Sequence, residues 1–356
     1  MDKNVVINNS IHEQPVIGVT MGDPAGIGPE VVVKALTDPE IRRAAKYVVF
    51  GLDEQLGYAA DRAEIESFWG RHQHEKISRD YPYKVVVADY DEYPIPPWLR
   101  SPSIAGGESS YRFCLDAIDA ARDGLIDAVV TAPISKTSWK MAGVKWPGHT
   151  ELLANRCNSK RKAMMFVAGP VKIALATIHE ALFEVRHKFT IGCVFEPIDL
   201  LNTALKEYFN ISKPRIGIAA LNPHAGENGR FGDEEQRIIS PAILLAQEQG
   251  INCQGPIPAD AVFRRAAKGE FDGTVAMYHD QGMIPVKLLA FETAVNVTIG
   301  IPIIRTSPAH GTAFDISGKN TANPTSMKSA IQTAVEMVKK RKSRIAEHQY
   351  AARLEQ

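Results

Sequence analysis

Five histidines sit just past apolar runs, each beside glycine, threonine, proline or an acidic residue: His149 in "PGHTELLA", His179 in "TIHEA", His224 in "NPHAGENG", His279 in "YHDQG" and His310 in "SPAHGTAFD". One alone reads as a hydrogen-bonded loop histidine. Several together suit a divalent cation, because imidazole is the commonest metal ligand and adds no charge of its own. Their separations match neither a zinc finger nor H-E-x-x-H, so a metal site would have to be assembled by the fold. Three further donors follow in "VKLLAFETAVNVTIGIPIIRTS": Lys287, Asn296 and Arg305. An ammonium, an amide and a forked guanidinium suit phosphate or carboxylate, with a solvated surface face as the competing reading for each cation. Arg305 follows "IPII", where an apolar strand would deliver it to a sheet edge. Asp260 in "PIPADAVF" and Asp280 in "YHDQG" are carboxylates placed to bind metal or move a proton, and Asp260 reads equally as a helix N-cap.

Two glycine-bearing stretches complete the inventory. "GVTMGDPAGIGPEVVVKAL" (18–36) runs from a strand through a turn into a helix. It has neither the G-x-G-x-x-G spacing of a dinucleotide fingerprint nor the G-K-[ST] of a P-loop, and reads as an anion cradle of open amides at a helix start. In "HGTAFDISGKNTANPTS" (310–326), Asp315 is placed to take a ribose hydroxyl pair and to repel a 2′-phosphate.

The elements that must position these groups alternate. "PVIGVT", "KYVVFG", "YKVVVA", "IDAVVTA", "KIALATI", "PRIGIAAL", "GTVAMY" and "VNVTIG" read as strands, and 110–124, 196–210 and 233–250 as helices by their apolar spacing. Alternation of this kind predicts an α/β fold with helices on both sheet faces, where catalytic groups gather at strand ends. Residues 52–105, polar and proline-bearing, are expected to hold excursions from the core, and the end of the chain a helix with a charged tail.

Bulk properties exclude several classes. The 356 residues allow two domains; 41 basic and 41 acidic side chains cancel, leaving no footprint for nucleic acid or an anionic membrane. Four scattered cysteines form no C-x-x-C and read as reduced, mostly buried thiols. The opening "MDKNVVINNSIHEQP" has no signal-peptide core, so a soluble cytoplasmic protein is expected.

The blocks "GDPAGIGPE", "PGHTELLA", "LNPHAGENG", "YHDQGMIPVK" and "VNVTIGIPIIRTSPAHGTAFDISGK" resemble, in order, the signatures of the 4-hydroxythreonine-4-phosphate dehydrogenase family of vitamin B6 biosynthesis, from about Val16 to about Ala334. A more distant likeness links "GDPAGIGPEV" and "HGTAFDISGKNTANP" to isopropylmalate and isocitrate dehydrogenases. The resemblance implies a two-domain α/β fold of that kind with its active site in the interdomain cleft, divided here as 1–130 plus 295–356 and 131–294. It implies NAD (or NADP) bound at His310, Gly311, Thr312, Ala313, Asp315 and Asn323, and one divalent metal ion (Zn, Mg, Co, Mn or Ni) on His179, His224 and His279. It assigns substrate contacts to His149, Thr150, Lys287, Asn296 and Arg305, and a homodimer whose shared active site takes one histidine from the partner subunit. The implied reaction is oxidation of 4-phosphohydroxy-L-threonine at C3, followed by decarboxylation to 3-amino-2-oxopropyl phosphate, with Asp280 or Asp260 on the proton path. Relatives that oxidise 4-phospho-D-threonate or 4-phospho-D-erythronate give the alternative reading, and a non-redox metal-dependent lyase or phospho-metabolite-binding protein a minor one.

Overall fold

A computed structural model describes residues 14–354. The opening segment read above as lacking a signal-peptide core lies almost wholly outside these residues, as do the last two of the tail. Among the described residues the strands are β1 Val16–Thr20, β2 Lys46–Gly51, β3 Gly70–Gln73, β4 Val85–Asp89, β5 Ala128–Thr131, β6 Ala163–Ala168, β7 Val171–Leu175, β8 Ile216–Ala219, β9 Cys253–Ile257, β10 Gly273–Ala276, β11 Val295–Ile299 and β12 Ile304–Pro308. No helix there is long and apolar enough to cross a membrane.

The chain divides into two compact α/β units, one holding residues up to Ser159 and from Ile301 onward, the other Lys160–Gly300. The first unit has strand order β3-β4-β2-β1-β5-β12, every pairing parallel. Its central strands are fully buried and read as continuous apolar runs, as a parallel sheet covered on both faces requires. Helix Ile104–Arg122 lies over β1, β2 and β5, and helix Thr325–Leu354 packs against β12 and β5. Thr306 of β12 donates its hydroxyl to Ala330 O of that last helix, so its neighbour Arg305 stands on the opposite face of the sheet.

The second unit has order β11-β6-β7-β10-β8-β9, in which β6 runs antiparallel to both neighbours and β7, β10, β8 and β9 are mutually parallel. Helix His279–Ala290 packs on β6, β7 and β10, and helix Ile191–Phe209 also packs on those three strands.

The boundary falls elsewhere than at 130 and 295. Helices Lys136–Met141 and His149–Arg156 pack on Ile104–Arg122 in the first unit, whereas β11 is held by its ladder with β6 in the second. Residues 52–105 are less of an excursion than their composition suggests: they carry helix Asp53–Arg62, edge strand β3 and β4. β3, "GRHQ", is half exposed, so it has no apolar alternation to reveal it. Helix Ile104–Arg122 starts earlier than its apolar spacing, because Ser103 caps it by accepting from Gly106 N.

Candidate active site

In the second unit the three implied metal ligands follow three neighbouring parallel strands. His179 lies beyond β7, His279 beyond β10 and His224 beyond β8, all at the carboxyl end of the sheet where α/β proteins place ligands. His179 and His279, from adjacent strands, have ring centroids 6.0 Å apart. His279 opens its helix, and the next turn fixes it: Gln281 Oε1 accepts from Met277 N at 2.7 Å while its Nε2 donates to Ala220 O at 2.7 Å, tying the ends of β10 and β8 together. A Cβ on Gly282 would stand 2.5 Å from Leu175 Cδ2, so this glycine serves close packing of the helix on β7.

His224 is held differently. Buried Glu235 accepts from Leu221 N and Asn222 N through Oε1 and from Asn222 Nδ2 through Oε2, and the chain then turns left-handed from His224 to Asn228. His224 is exposed, its ring edge-on to Phe231. Among the described residues, no three His, Cys, Asp or Glu side chains of this single chain come together as a metal-binding group. Asp280 is exposed and within 2.7 Å of His279 Nδ1. Asp260 sits in the first turn of helix Ala259–Ala267, but Pro258 is the N-cap, so the capping role expected of it is not the one it has. Lys287 lies over the Phe291 ring, and Asn296 on β11 keeps a buried Oδ1 without a hydrogen-bond partner.

In the first unit, His149 and Thr150 open helix His149–Arg156 after the uncapped Gly148. The His149 ring meets the edge of Trp139, which is fully buried and anchored by its indole N–H to Ser110 Oγ at 3.0 Å. His149 Nε2 is buried with no partner. Burial, and then the nearby Arg305 charge, hold this imidazole well below its ordinary range, so it is neutral at pH 7. Arg305 is 3% exposed; burial brings it down to about 10, and it remains a cation. Its Nη2 and Nε both donate to Thr131 Oγ1, at 2.6 and 3.2 Å. Cys114, on the helix over this face, has its thiol pushed up to about 12 by burial and is uncharged. Thr131, Cys114 and Trp139 were not singled out from sequence; the one available signal was a hydroxyl at the carboxyl end of the strand "AVVT".

The 310–323 loop is pinned to the glycine-rich turn. Ile27 N donates to Thr312 O, Ser317 Oγ to Gly26 O and Ala322 N to Glu30 Oε1, while Arg100 Nε donates to Ser317 O. A Cβ on Gly26 would come within 2.9 Å of Thr312 O. This corrects the anion-cradle reading: Asp23 N, Ala25 N, Gly26 N and Ile27 N all have acceptors inside the protein. The turn is a platform for the loop. Asp23 is buried, its carboxyl raised by desolvation against hydrogen bonds from Ser138 Oγ and Ala25 N. Within the loop Ala313 and Asn320 adopt positive φ, Asp315 is exposed, and Gly311 has open space where a side chain would be. His310 Nδ1 lies 3.1 Å from Gly311 O, and Asn323 Oδ1 accepts from Thr325 N, the first residue of the last helix.

The family model for "Pyridoxal phosphate biosynthetic protein PdxA" matches residues 43–334. The chain belongs to this family. It is 41% identical over 334 residues to the 4-hydroxythreonine-4-phosphate dehydrogenase of Geobacter metallireducens, covering 92% of this chain and 96% of that one. It is 39% identical to the D-threonate 4-phosphate dehydrogenase of Cupriavidus necator, over 92% of this chain and 98% of the relative. Among PdxA-family structures, the crystal structure of 4-hydroxythreonine-4-phosphate dehydrogenase from Klebsiella pneumoniae superposes with a TM-score of 0.83 at 35% identity, covering 92% of this chain and 98% of that one.

Proposed function

We propose that the protein oxidises 4-phosphohydroxy-L-threonine at C3 with NAD (or NADP) and a divalent metal, yielding a 2-amino-3-oxo acid that decarboxylates to 3-amino-2-oxopropyl phosphate. The observation that carries this is the delivery of His179, His279 and His224 by the ends of three neighbouring parallel strands, in a member of a dehydrogenase family. The donor set fits a cation: imidazoles suit Zn, Co or Ni better than Mg, which prefers oxygen. The 310–323 loop fits a dinucleotide, since Asp315 is exposed and forms no bond within the protein that would compete for ribose hydroxyls.

A bound divalent cation lowers the pKa of a coordinated alcohol and polarises its C–O bond. Lys287 and Asn296 of the second unit, and His149, Thr150 and Arg305 of the first, are the groups we assign to the substrate, Lys287 and Arg305 for its phosphate. Asp280, adjacent to His279, is the group we assign to receive the C3 hydroxyl proton, with Asp260 as the second carboxylate. A nicotinamide cofactor held by the 310–323 loop would supply the acceptor for the hydride from C3. The 3-oxo acid then loses CO2 readily, because the electrons left behind delocalise onto the neighbouring carbonyl.

A homodimer with a shared active site is part of this reading. Ile284 and Leu288, on the helix that begins with His279, and Phe291, just past its end, are exposed apolar side chains at helical spacing, and Leu182 and Phe183 are exposed just past His179. We assign a second copy of the chain to this surface; it would cover these side chains and complete the imidazole set.

The second reading, oxidation of 4-phospho-D-threonate or 4-phospho-D-erythronate, is favoured by the comparable similarity to the Cupriavidus necator enzyme. Side-by-side assays of NADH formation separate the two. Faster turnover of 4-phosphohydroxy-L-threonine supports the primary assignment, and a far higher rate with 4-phospho-D-threonate overturns it. Cofactor reduction with neither substrate would point to the non-redox lyase or binding protein.

A further inference from the structure

We propose that Thr131 is a positioning residue for substrate recognition, its hydroxyl setting the guanidinium fork of Arg305 that receives the phosphate. The proposal rests on the reading of Arg305 given above. In the parallel ladder between β12 and β5, Arg305 stands opposite Val129, so Thr131, two residues on, is its diagonal neighbour on the same face. Thr131 Oγ1 takes N–H groups from both Nη2 and Nε, at 2.6 and 3.2 Å. Two donors on one oxygen occupy both its lone pairs and hold one whole edge of the planar fork, which fixes the direction of the remaining donors. Both side chains are 3% exposed, leaving water little room to take over this role.

The residue type matters as much as the geometry. A carboxylate at this position would orient the fork equally well but would cancel its charge and repel an incoming phosphate. A hydroxyl orients the guanidinium without neutralising it. The neighbours on this face follow the same pattern: Thr20 is paired across β1 with Thr131, and Cys114 is an uncharged thiol. Thr131 thus orients the Arg305 guanidinium without adding a charge that would cancel it.

The test uses the full-length protein and whichever of the two phospho-acids it oxidises faster. Thr131→Val keeps the shape and removes the acceptor, Thr131→Ser keeps the acceptor, and Arg305→Met removes the fork. Thr131→Val is expected to raise KM about ten- to a hundredfold, with kcat changed by less than about threefold. The inhibition constant for inorganic phosphate should rise in parallel, Thr131→Ser should restore both, and Thr131→Val should add nothing in an Arg305→Met background. Should Thr131→Val not fold, Thr131→Cys, of similar volume and a weaker acceptor, takes its place. An unchanged KM in Thr131→Val while Arg305→Met raises it would overturn the role of Thr131 and leave Arg305 as the phosphate ligand. A lower kcat at unchanged KM, or no rescue by serine, would also overturn it. An Arg305→Met variant with unchanged KM would instead remove the phosphate reading itself.

Discussion

The two units prepare their candidate ligands in opposite ways. Around Arg305 the first unit is finished: guanidinium, Thr131, Cys114 and the neutral His149 are buried, hydrogen-bonded or packed, and oriented by a parallel sheet and the helix across it. Around His179, His279 and His224 the second unit presents largely exposed rings at strand ends, and a single chain brings no three of them together. The difference follows from what each must hold. A buried permanent cation has to be supported by its own chain, because an unsupported one costs several kcal/mol. Imidazoles at the surface stay hydrated at little cost, and on the proposed reading a cation and a second copy would organise them.

That contrast can be broken experimentally, most sharply in the second unit. His224→Ala should reduce turnover on the order of a thousandfold or more and abolish stoichiometric metal binding by elemental analysis, since loss of a direct ligand removes the chemistry the cation supplies. The circular dichroism spectrum, and the melting temperature of the metal-free protein, should not change, because His224 is exposed and its loop is held by Glu235. Retained turnover with metal still bound would remove the metal-site reading. A smaller effect is expected at the pinned loop of the first unit. Asp315→Ala should raise the KM for NAD about tenfold and weaken discrimination against NADP, as loss of a charge-assisted hydrogen bond implies. Unchanged cofactor kinetics would show that the loop binds something else.

The smallest effect concerns stability. His149 has a folded-state pKa depressed below its unfolded value of about 6.5, so only the unfolded chain gains a proton as the pH falls past that point. The contribution is fully present above about pH 6.5 and is lost on acidification, at no more than about 1.4 kcal/mol per pH unit for this group. Between about pH 7.5 and about pH 5.5 the wild type should lose roughly 2 °C more in melting temperature than His149→Gln. Equal losses would mean that His149 is protonated in the folded protein.

Much of this was legible in the sequence, for physical reasons that also mark where legibility stops. Polar, titratable residues soon after apolar runs revealed His179, His224 and His279, because strand periodicity fixes where a strand ends, whereas Arg305, read as following an apolar strand "IPII", lies inside β12, which begins only at Ile304. Thr131 and Cys114 gave no comparable signal: their roles depend on which strand lies beside which, and β5 meets β12 across more than 170 positions of sequence. "GDPAGIGPE" misled for the complementary reason. Glycines and a helix start do mark open amides locally, but Thr312, Pro133 and Asp23, two of them distant in sequence, accept those amides. Likewise the glycines following His224 and His279 look alike in sequence, yet Gly226 sits in a left-handed turn and Gly282 packs a helix on β7.

The central claim is that the metal-binding half is completed by a second copy of the chain. Subunit complementation tests it most directly: His224→Ala and His279→Ala, each inactive alone, are unfolded together, refolded and assayed. If each site takes its His279 from the other subunit, every mixed dimer carries one intact set, and the mixture should recover on the order of a quarter of wild-type turnover. If all three histidines act within one chain, no mixing ratio will restore activity, and the shared-site account is contradicted.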